Sequence, residues 1–381
     1  MSYTRREFGR LALAGLPAAA LLGRGESIFG AFAQAKPNSL IEGVQIGAIT
    51  YSYRAMPDQS AEATLKYVVD SGISAIELMG GPVESFAGIP STGPGGGRGA
   101  GRGRRGEGAA DAPPAQFDSS WNGQPCNAAP RGDALPGARG GGRPDVGGGR
   151  GRGELTAEQR AAQEEQNAKV KAWRTSVSMD TFKALRKMYN DAGVTIYAWK
   201  QLNPNMSDEE YEYIFNVAEA LGCTHTTLEL PTGEGADAIL KRVGDFAMKK
   251  KIYAAYHTHL QGSMTAFDKA FALSKGNMAN VDIGHWVAAG NIGGTPMQFL
   301  QKYHDRVSSF HVKDRTTPEH CALNLPFGQG ETPIKEVLQL VRKNKWKFPA
   351  SIELEYTVPA DSTPVAEVRK CLEYCRRALS T

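Results

Sequence analysis

Short runs of apolar and β-branched residues recur along this chain, separated by stretches in which apolar positions repeat every three or four residues. The short runs fall at 45–51, 74–78, 194–199, 224–230, 252–257, 281–283, 307–312 and 350–354. Near-continuous apolarity over so few residues predicts strands buried on both faces. The stretches between them predict helices with their own punctuation. Ser207-Asp208-Glu209-Glu210 is a capping box ahead of Tyr211, Ile214, Phe215 and Ala218, and Gly222 closes that helix. Ser178 caps a helix carrying Phe182, Leu185 and Met188, with Gly193 as its stop. Gly72 follows a helix built on Leu65, Val68 and Val69, and Pro333 and Pro364 suit the first turns of the last two helices.

Eight strand–helix units, most at roughly 30-residue spacing and without hairpin or Greek-key signals, predict an α/β fold, a closed (β/α)8 barrel. An open doubly wound sheet is the competing architecture, but no Gly-x-Gly-x-x-Gly turn follows the first run.

One interval breaks the rhythm. Between residues 79 and 194 lie runs such as Gly95-Gly96-Gly97-Arg98 and Gly140-Gly141-Gly142-Arg143. Such a Gly/Arg-rich insertion, about 91–153, cannot bury enough apolar surface to order itself. It is expected as a spacer in the second βα loop, on the face where barrel enzymes carry their sites. A polar, helix-forming stretch over 154–170 follows it, ahead of Trp173. The net charge is +4 over 381 residues. Much of the arginine excess sits in the insertion, so the rest is near neutral and demands no nucleic acid or other polyanion as partner.

The chain begins with Thr4-Arg5-Arg6-Glu7-Phe8, an apolar stretch over 11–22 broken by Gly15 and Pro17, and Ala33-Gln34-Ala35 before Lys36. This is the pattern of a twin-arginine export signal over 1–35, too short and broken for a membrane span, leaving 36–381 as the barrel domain. It implies a periplasmic or secreted enzyme. Of the five cysteines, Cys126, Cys223, Cys321, Cys371 and Cys375, none shows zinc-ribbon spacing. The odd number excludes a full disulfide framework and leaves room for one bridge.

Polar residues cluster where the predicted strands end. The second run carries Glu77, the third ends Trp199-Lys200 and the fourth carries Glu229. The fifth ends Tyr256-His257-Thr258-His259 and the sixth Asp282-Ile283-Gly284-His285-Trp286. The seventh ends Phe310-His311-Val312-Lys313-Asp314, and the eighth Ile352-Glu353-Leu354-Glu355. Four successive strands thus deliver His257, Asp282, His311 and Glu353 toward one mouth, a mixed nitrogen–oxygen set for one divalent ion: Mn²⁺ first, with Co²⁺, Zn²⁺ or Mg²⁺ as alternatives. Strand alternation places His257 with His259, His311 with Lys313, and Glu353 with Glu355 on shared faces, so either glutamate can be the ligand. Such an ion would acidify the proton beside a sugar carbonyl, and a neighbouring carboxylate would move it. Glu229, His285, Lys313 and Glu355 are the candidate catalytic residues. Glu77 and Lys200 suit either substrate contact or a loop ion pair. Trp199 and Trp286 suit either sugar stacking or packing. His225, His304 and His320 read as structural.

These strand ends resemble those of the xylose isomerase-like TIM-barrel superfamily, which includes tagatose epimerases, hydroxypyruvate isomerase, inosose dehydratase and endonuclease IV. The resemblance spans about 45–379 without the insertion. It rests on Asp282-Ile283-Gly284-His285, on 310–314, and on Gly328-Gln329-Gly330 ahead of Ser351-Ile352-Glu353. It implies that Asp282, His311 and Glu353 bind the ion, that His285 contacts substrate, and that the protein forms homo-oligomers. One position departs: His257 stands where the epimerases carry a glutamate. The symmetric two-glutamate mechanism therefore loses a partner, and the adjacent Glu229 is the candidate replacement. The leading expectation is a metal-dependent sugar isomerase or epimerase. A lyase or dehydratase on a keto-sugar, keto-glycoside or cyclitol comes second, and a non-catalytic sugar-binding barrel third. An endonuclease IV-like three-zinc cluster needs more His and Glu ligands than these strand ends supply.

Overall fold

The computed structural model describes residues 36–90 and 156–381, with two short strands, Ser120–Trp121 and Gln124–Pro125, between them. Residues 1–35, where the export signal is expected, most of the insertion and Cys126 lie outside the described residues.

Eight strands form the barrel: β1 (Val44–Ile49), β2 (Ala75–Met79), β3 (Thr195–Lys200), β4 (His225–Glu229), β5 (Tyr253–His257), β6 (Asn277–Asp282), β7 (Val307–Val312) and β8 (Ala350–Ile352). Each pairs in parallel with the next, and β8 returns to β1, so the sheet closes. Closure leaves no exposed barrel edge and points every strand's C-terminus at one face.

The flanking helices are α1 (Ala61–Asp70), α2 (Gly80–Phe86), α3 (Ala157–Arg174), α4 (Met179–Asp191), α5 (Asp208–Leu221), α6 (Ala236–Lys250), α7 (Asp268–Leu273), α8 (Ile283–Ala288), α9 (Pro296–Tyr303), α10 (Ile334–Asn344) and α11 (Pro364–Leu379). The expected punctuation is present. Ser207 and Glu210 form the capping box of α5, Gly222 ends it at φ +79°, and Ser178 caps α4. The polar stretch before Trp173 is α3. Its Arg174 joins Glu84 of α2 and Glu210 of α5, each at 2.9 Å, and so ties the end of the insertion to the barrel wall.

Three strands differ from the sequence reading by two residues or more, the first being β1, which stops at Ile49, short of 51. β6 starts at Asn277 rather than 281, because Asn277 is buried with its polar groups matched: it accepts from the Tyr256 hydroxyl and donates to the Leu240 and Ala270 carbonyls. Polar residues satisfied this way carry no apolar signal. β8 stops at Ile352, short of 354.

Both tryptophans pack in the wall. Trp199 donates to the Ile214 carbonyl of α5 and meets Tyr213 edge-on, and Trp286 donates to the Gly294 carbonyl and packs on Phe299. Both are fully buried, so neither offers a face to a sugar. Cys223, Cys371 and Cys375 are buried free thiols, and Cys321 is disulfide-bonded.

Candidate active site at the barrel mouth

His257 closes β5, Asp282 closes β6, His311 sits near the end of β7 and Glu353 follows β8 directly. One ligand atom from each lies within 4.8 Å of the others, and all four side chains are buried. Register produces this convergence. His311 is level with Asp282 on one neighbour and Ser351 on the other, and Asn280, two residues below Asp282, is level with His257. The expected pairs do meet, His257 with His259 at 5.0 Å between ring centres and Glu353 with Glu355 on Lys313, but regular strand alternation is not what holds all of them. β5 ends at His257 and β8 at Ile352, so His259, Glu353 and Glu355 are placed by the segments beyond the strands.

Glu77, left undecided by the sequence, is fully buried on β2. Its Oε2 lies 2.8 Å from His311 Nε2 and accepts from Asn280 at 3.2 Å, while its Oε1 accepts from the Thr227 hydroxyl at 2.6 Å. The other imidazole nitrogen, His311 Nδ1, lies 2.8 Å from Glu353 Oε2. Burial alone would push His311 down, but Glu77 and Glu353 outweigh it and raise its pKa to about 10. Burial would raise Glu77, and the His311 charge overrides it and holds the carboxyl at about 2.

Lys313 is the central cation. Its Nζ is 2.6 Å from Glu355, 2.8 Å from Glu353 and 3.0 Å from Asp282. Burial opposes its charge, yet these three carboxylates push its pKa upward. Glu353 would be raised by burial but is held well below the usual carboxylate range by Lys313 and His311, whereas burial leaves Asp282 raised. Burial and neighbouring cations keep His257 and His285 neutral.

At the rim, Lys200 holds Glu229 Oε1 at 2.7 Å, and His259 stands 3.7 Å from Glu229 Oε2. That Oε2 is buried without a hydrogen-bond partner. Lys200 is thus an ion-pair partner of a second carboxylate. His225 lies deeper, stacked on Tyr197 and bonded to Ser309 at 3.0 Å and Thr224 at 2.9 Å, a structural role.

Two observations fit a divalent ion to the four-residue group. Asp282 Oδ2 and His257 Nδ1 are buried with no hydrogen bond, an arrangement that costs free energy unless something else meets them. The Lys313 ammonium already stands as a cation between Asp282 and Glu353. Two imidazoles and two carboxylates suit Mn²⁺, Co²⁺ or Zn²⁺. His257, His259 and His285 form a second group with ligand atoms within 4.8 Å, but both His285 nitrogens already face cations, Lys313 at 3.0 Å and Arg315 at 2.6 Å. Sequence reasoning missed Arg315. It sits one residue beyond the 310–314 run, and an arginine there carries no ligand signature.

Fold and site together define a (β/α)8 barrel with a buried imidazole–carboxylate cluster at its C-terminal mouth. The chain belongs to the xylose isomerase-like TIM-barrel family, whose model matches residues 173–377. Among solved structures it is similar to a sugar phosphate isomerase/epimerase from Parabacteroides distasonis, at 14% identity and a TM-score of 0.51, covering 87% of this chain and 95% of that one. It is also similar to the probable 3-DHS dehydratase of petrobactin synthesis from Bacillus anthracis, at 12% identity and a TM-score of 0.51, covering 85% and 97%. At such identities the likeness concerns the fold. No curated protein matches the chain in sequence.

Proposed function

We propose that this chain is a divalent-metal-dependent sugar isomerase or epimerase that moves a proton next to a carbonyl, acting on a free sugar or keto-sugar. The observation that supports this most is the meeting of His257, Asp282, His311 and Glu353 within 4.8 Å, buried, with Asp282 Oδ2 lacking a hydrogen bond. These four residues would hold the ion, which when bound lowers the energy of the deprotonated, enediolate form of a substrate. Glu229 is the base: Lys200 fixes one oxygen, and the other has no hydrogen-bond partner. Glu355, held by Lys313, is the second proton carrier. His285 contacts a substrate oxygen.

Elimination is the second reading. It shares the proton abstraction, and His257 in place of a strand-five carboxylate favours it by removing one of two symmetric bases. Isomerisation conserves substrate mass, whereas a lyase or dehydratase releases water or an aglycone. The twin-arginine pattern adds a periplasmic or secreted location to the proposal, in keeping with a substrate that carries no phosphate.

Elemental analysis of the purified protein beside the Asp282→Ala/His311→Ala double variant tests this reading. About one divalent ion per chain, lost in the variant, is expected. No ion in either, even after incubation with Mn²⁺, Co²⁺ and Zn²⁺, would overturn it in favour of a non-catalytic sugar-binding barrel.

A further inference from the structure

The Gly328-Gln329-Gly330 run and the side chain of Arg315 have no part in the reading above, and they belong together. Asp314–Arg315 pairs antiparallel with Asn324–Leu325 just beyond β7. The Asp314 carboxylate accepts the backbone N–H of Gly328 at 2.7 Å, Gly330 at 2.9 Å and Thr332 at 3.2 Å. Gly328 has φ +88°, and a Cβ on Gly330 would collide with Asp314 Oδ1, so glycine is required at both. Arg315 is clamped in turn. Its N–H donates to the Thr332 hydroxyl at 2.9 Å, and its carbonyl accepts from Glu331 N–H at 2.9 Å. The glycine run thus immobilises the backbone of Arg315.

The Arg315 side chain is fully buried and forms no ion pair among the described residues. One terminal nitrogen donates to His285 Nδ1 at 2.6 Å and the other to the Ala322 carbonyl at 2.5 Å. Its Nε has no partner. Burying a guanidinium without a carboxylate is costly, so what it does to His285 matters.

A neutral imidazole has one N–H and one lone pair, and a guanidinium has only donors. The nitrogen facing Arg315 must therefore carry the lone pair, which puts the ring proton on Nε2. Lys313, also donors only, stands 3.0 Å from Nε2. The two contacts cannot both be hydrogen bonds. Lys313 has an alternative, since it donates to Glu355 at 2.6 Å and is ion-paired with Glu353 at 2.8 Å and Asp282 at 3.0 Å. Arg315, fixed through its backbone, has none. The carboxylate oxygens beside Nε2, on Glu355 at 3.7 Å and Asp282 at 3.9 Å, are beyond hydrogen-bond reach. The Nε2–H is left for a ligand.

We propose that Arg315 is a positioning residue that locks His285 as its neutral Nε2–H tautomer, ready to donate to the carbonyl oxygen of the substrate. The substrate half rests on the function proposed above, and the tautomer does not. A fixed cation behind the ring polarises the Nε2–H and strengthens it as a donor toward an oxygen that gains negative charge.

Nitrogen NMR of the full chain labelled with ¹⁵N-histidine, with no metal added, reads the tautomer directly. His285 is assigned by the signals lost in His285→Gln. A pyridine-like Nδ1 and pyrrole-like Nε2 are expected in the wild type, retained in Arg315→Lys and mixed in Arg315→Met. A pyrrole-like Nδ1 in the wild type, or an unchanged spectrum in Arg315→Met, would overturn the lock. If Arg315→Met fails to fold, the wild-type and Arg315→Lys spectra decide. On an accepted substrate, Arg315→Met is expected to lower kcat about 100-fold with little change in KM. The expected tautomer in a protein that turns over no sugar would leave the lock standing and refute its substrate half together with the proposed function.

Discussion

Glu77 Oε2 lies 2.8 Å from His311 Nε2, on the far side of the ring from Glu353. His311 Nδ1 faces the cluster, with Asp282 Oδ2 at 3.9 Å and Glu353 Oε2 at 2.8 Å. A carboxylate behind a ligating imidazole fixes its tautomer and raises its basicity. Glu77→Gln is therefore expected to weaken Mn²⁺ binding by roughly 10–100-fold, read by titration calorimetry or the free-Mn²⁺ paramagnetic signal. Unchanged affinity would remove Glu77 from the site.

Lys313 competes with any ion for Asp282 and Glu353. Removing its charge in Lys313→Met should tighten ion binding by roughly ten-fold or more, because like charges at this range repel strongly in a buried site. Turnover should fall in the same variant, since Glu355 loses its partner at 2.6 Å. Affinity and rate moving in opposite directions distinguish this role from a structural one.

His225 supplies a pH dependence of stability. Burial pushes its pKa down to about 4, from 6.5. The unfolded chain therefore binds the proton first as pH falls, so the contribution is complete above the unfolded value and is lost progressively down to the folded one. The size is on the order of 3 kcal/mol. Urea unfolding of His225→Gln should show a flatter stability profile than wild type between those two values, and an equally steep profile would refute the assignment.

Gly330→Ala places a methyl group against Asp314 Oδ1 and the Arg315 carbonyl oxygen. Displacing that clamp should cost about 2 kcal/mol, measured by thermal or urea unfolding. Gly81→Ala is the control, because nothing lies within 4 Å of its Cβ position. Equal stability of the two variants would mean that the Asp314 clamp yields freely.

The barrel was legible from the sequence because its signals are local. Buried parallel strands are short apolar runs, and caps such as Ser207 with Glu210 are set by neighbours three residues apart. The ligand types at the strand ends were legible for the same reason: the fold sends each strand's last residues to one face. The sequence by itself therefore determined the architecture and the gathering of His257, Asp282, His311 and Glu353. What it could not supply were relationships between residues far apart in the chain. Glu77 meets His311 across 234 positions, and Arg315 reaches His285 across 30. Where strands end also depends on packing, which is why Glu353 and Glu355 lie just beyond β8, although both still meet Lys313 as a shared face implies. Which nitrogen of a histidine is free, which carboxylate is paired and which tryptophan is covered are settled only when helices and strands close around them. Hydrogen-bond geometry and desolvation act on neighbours in space, and the tertiary structure alone decides those.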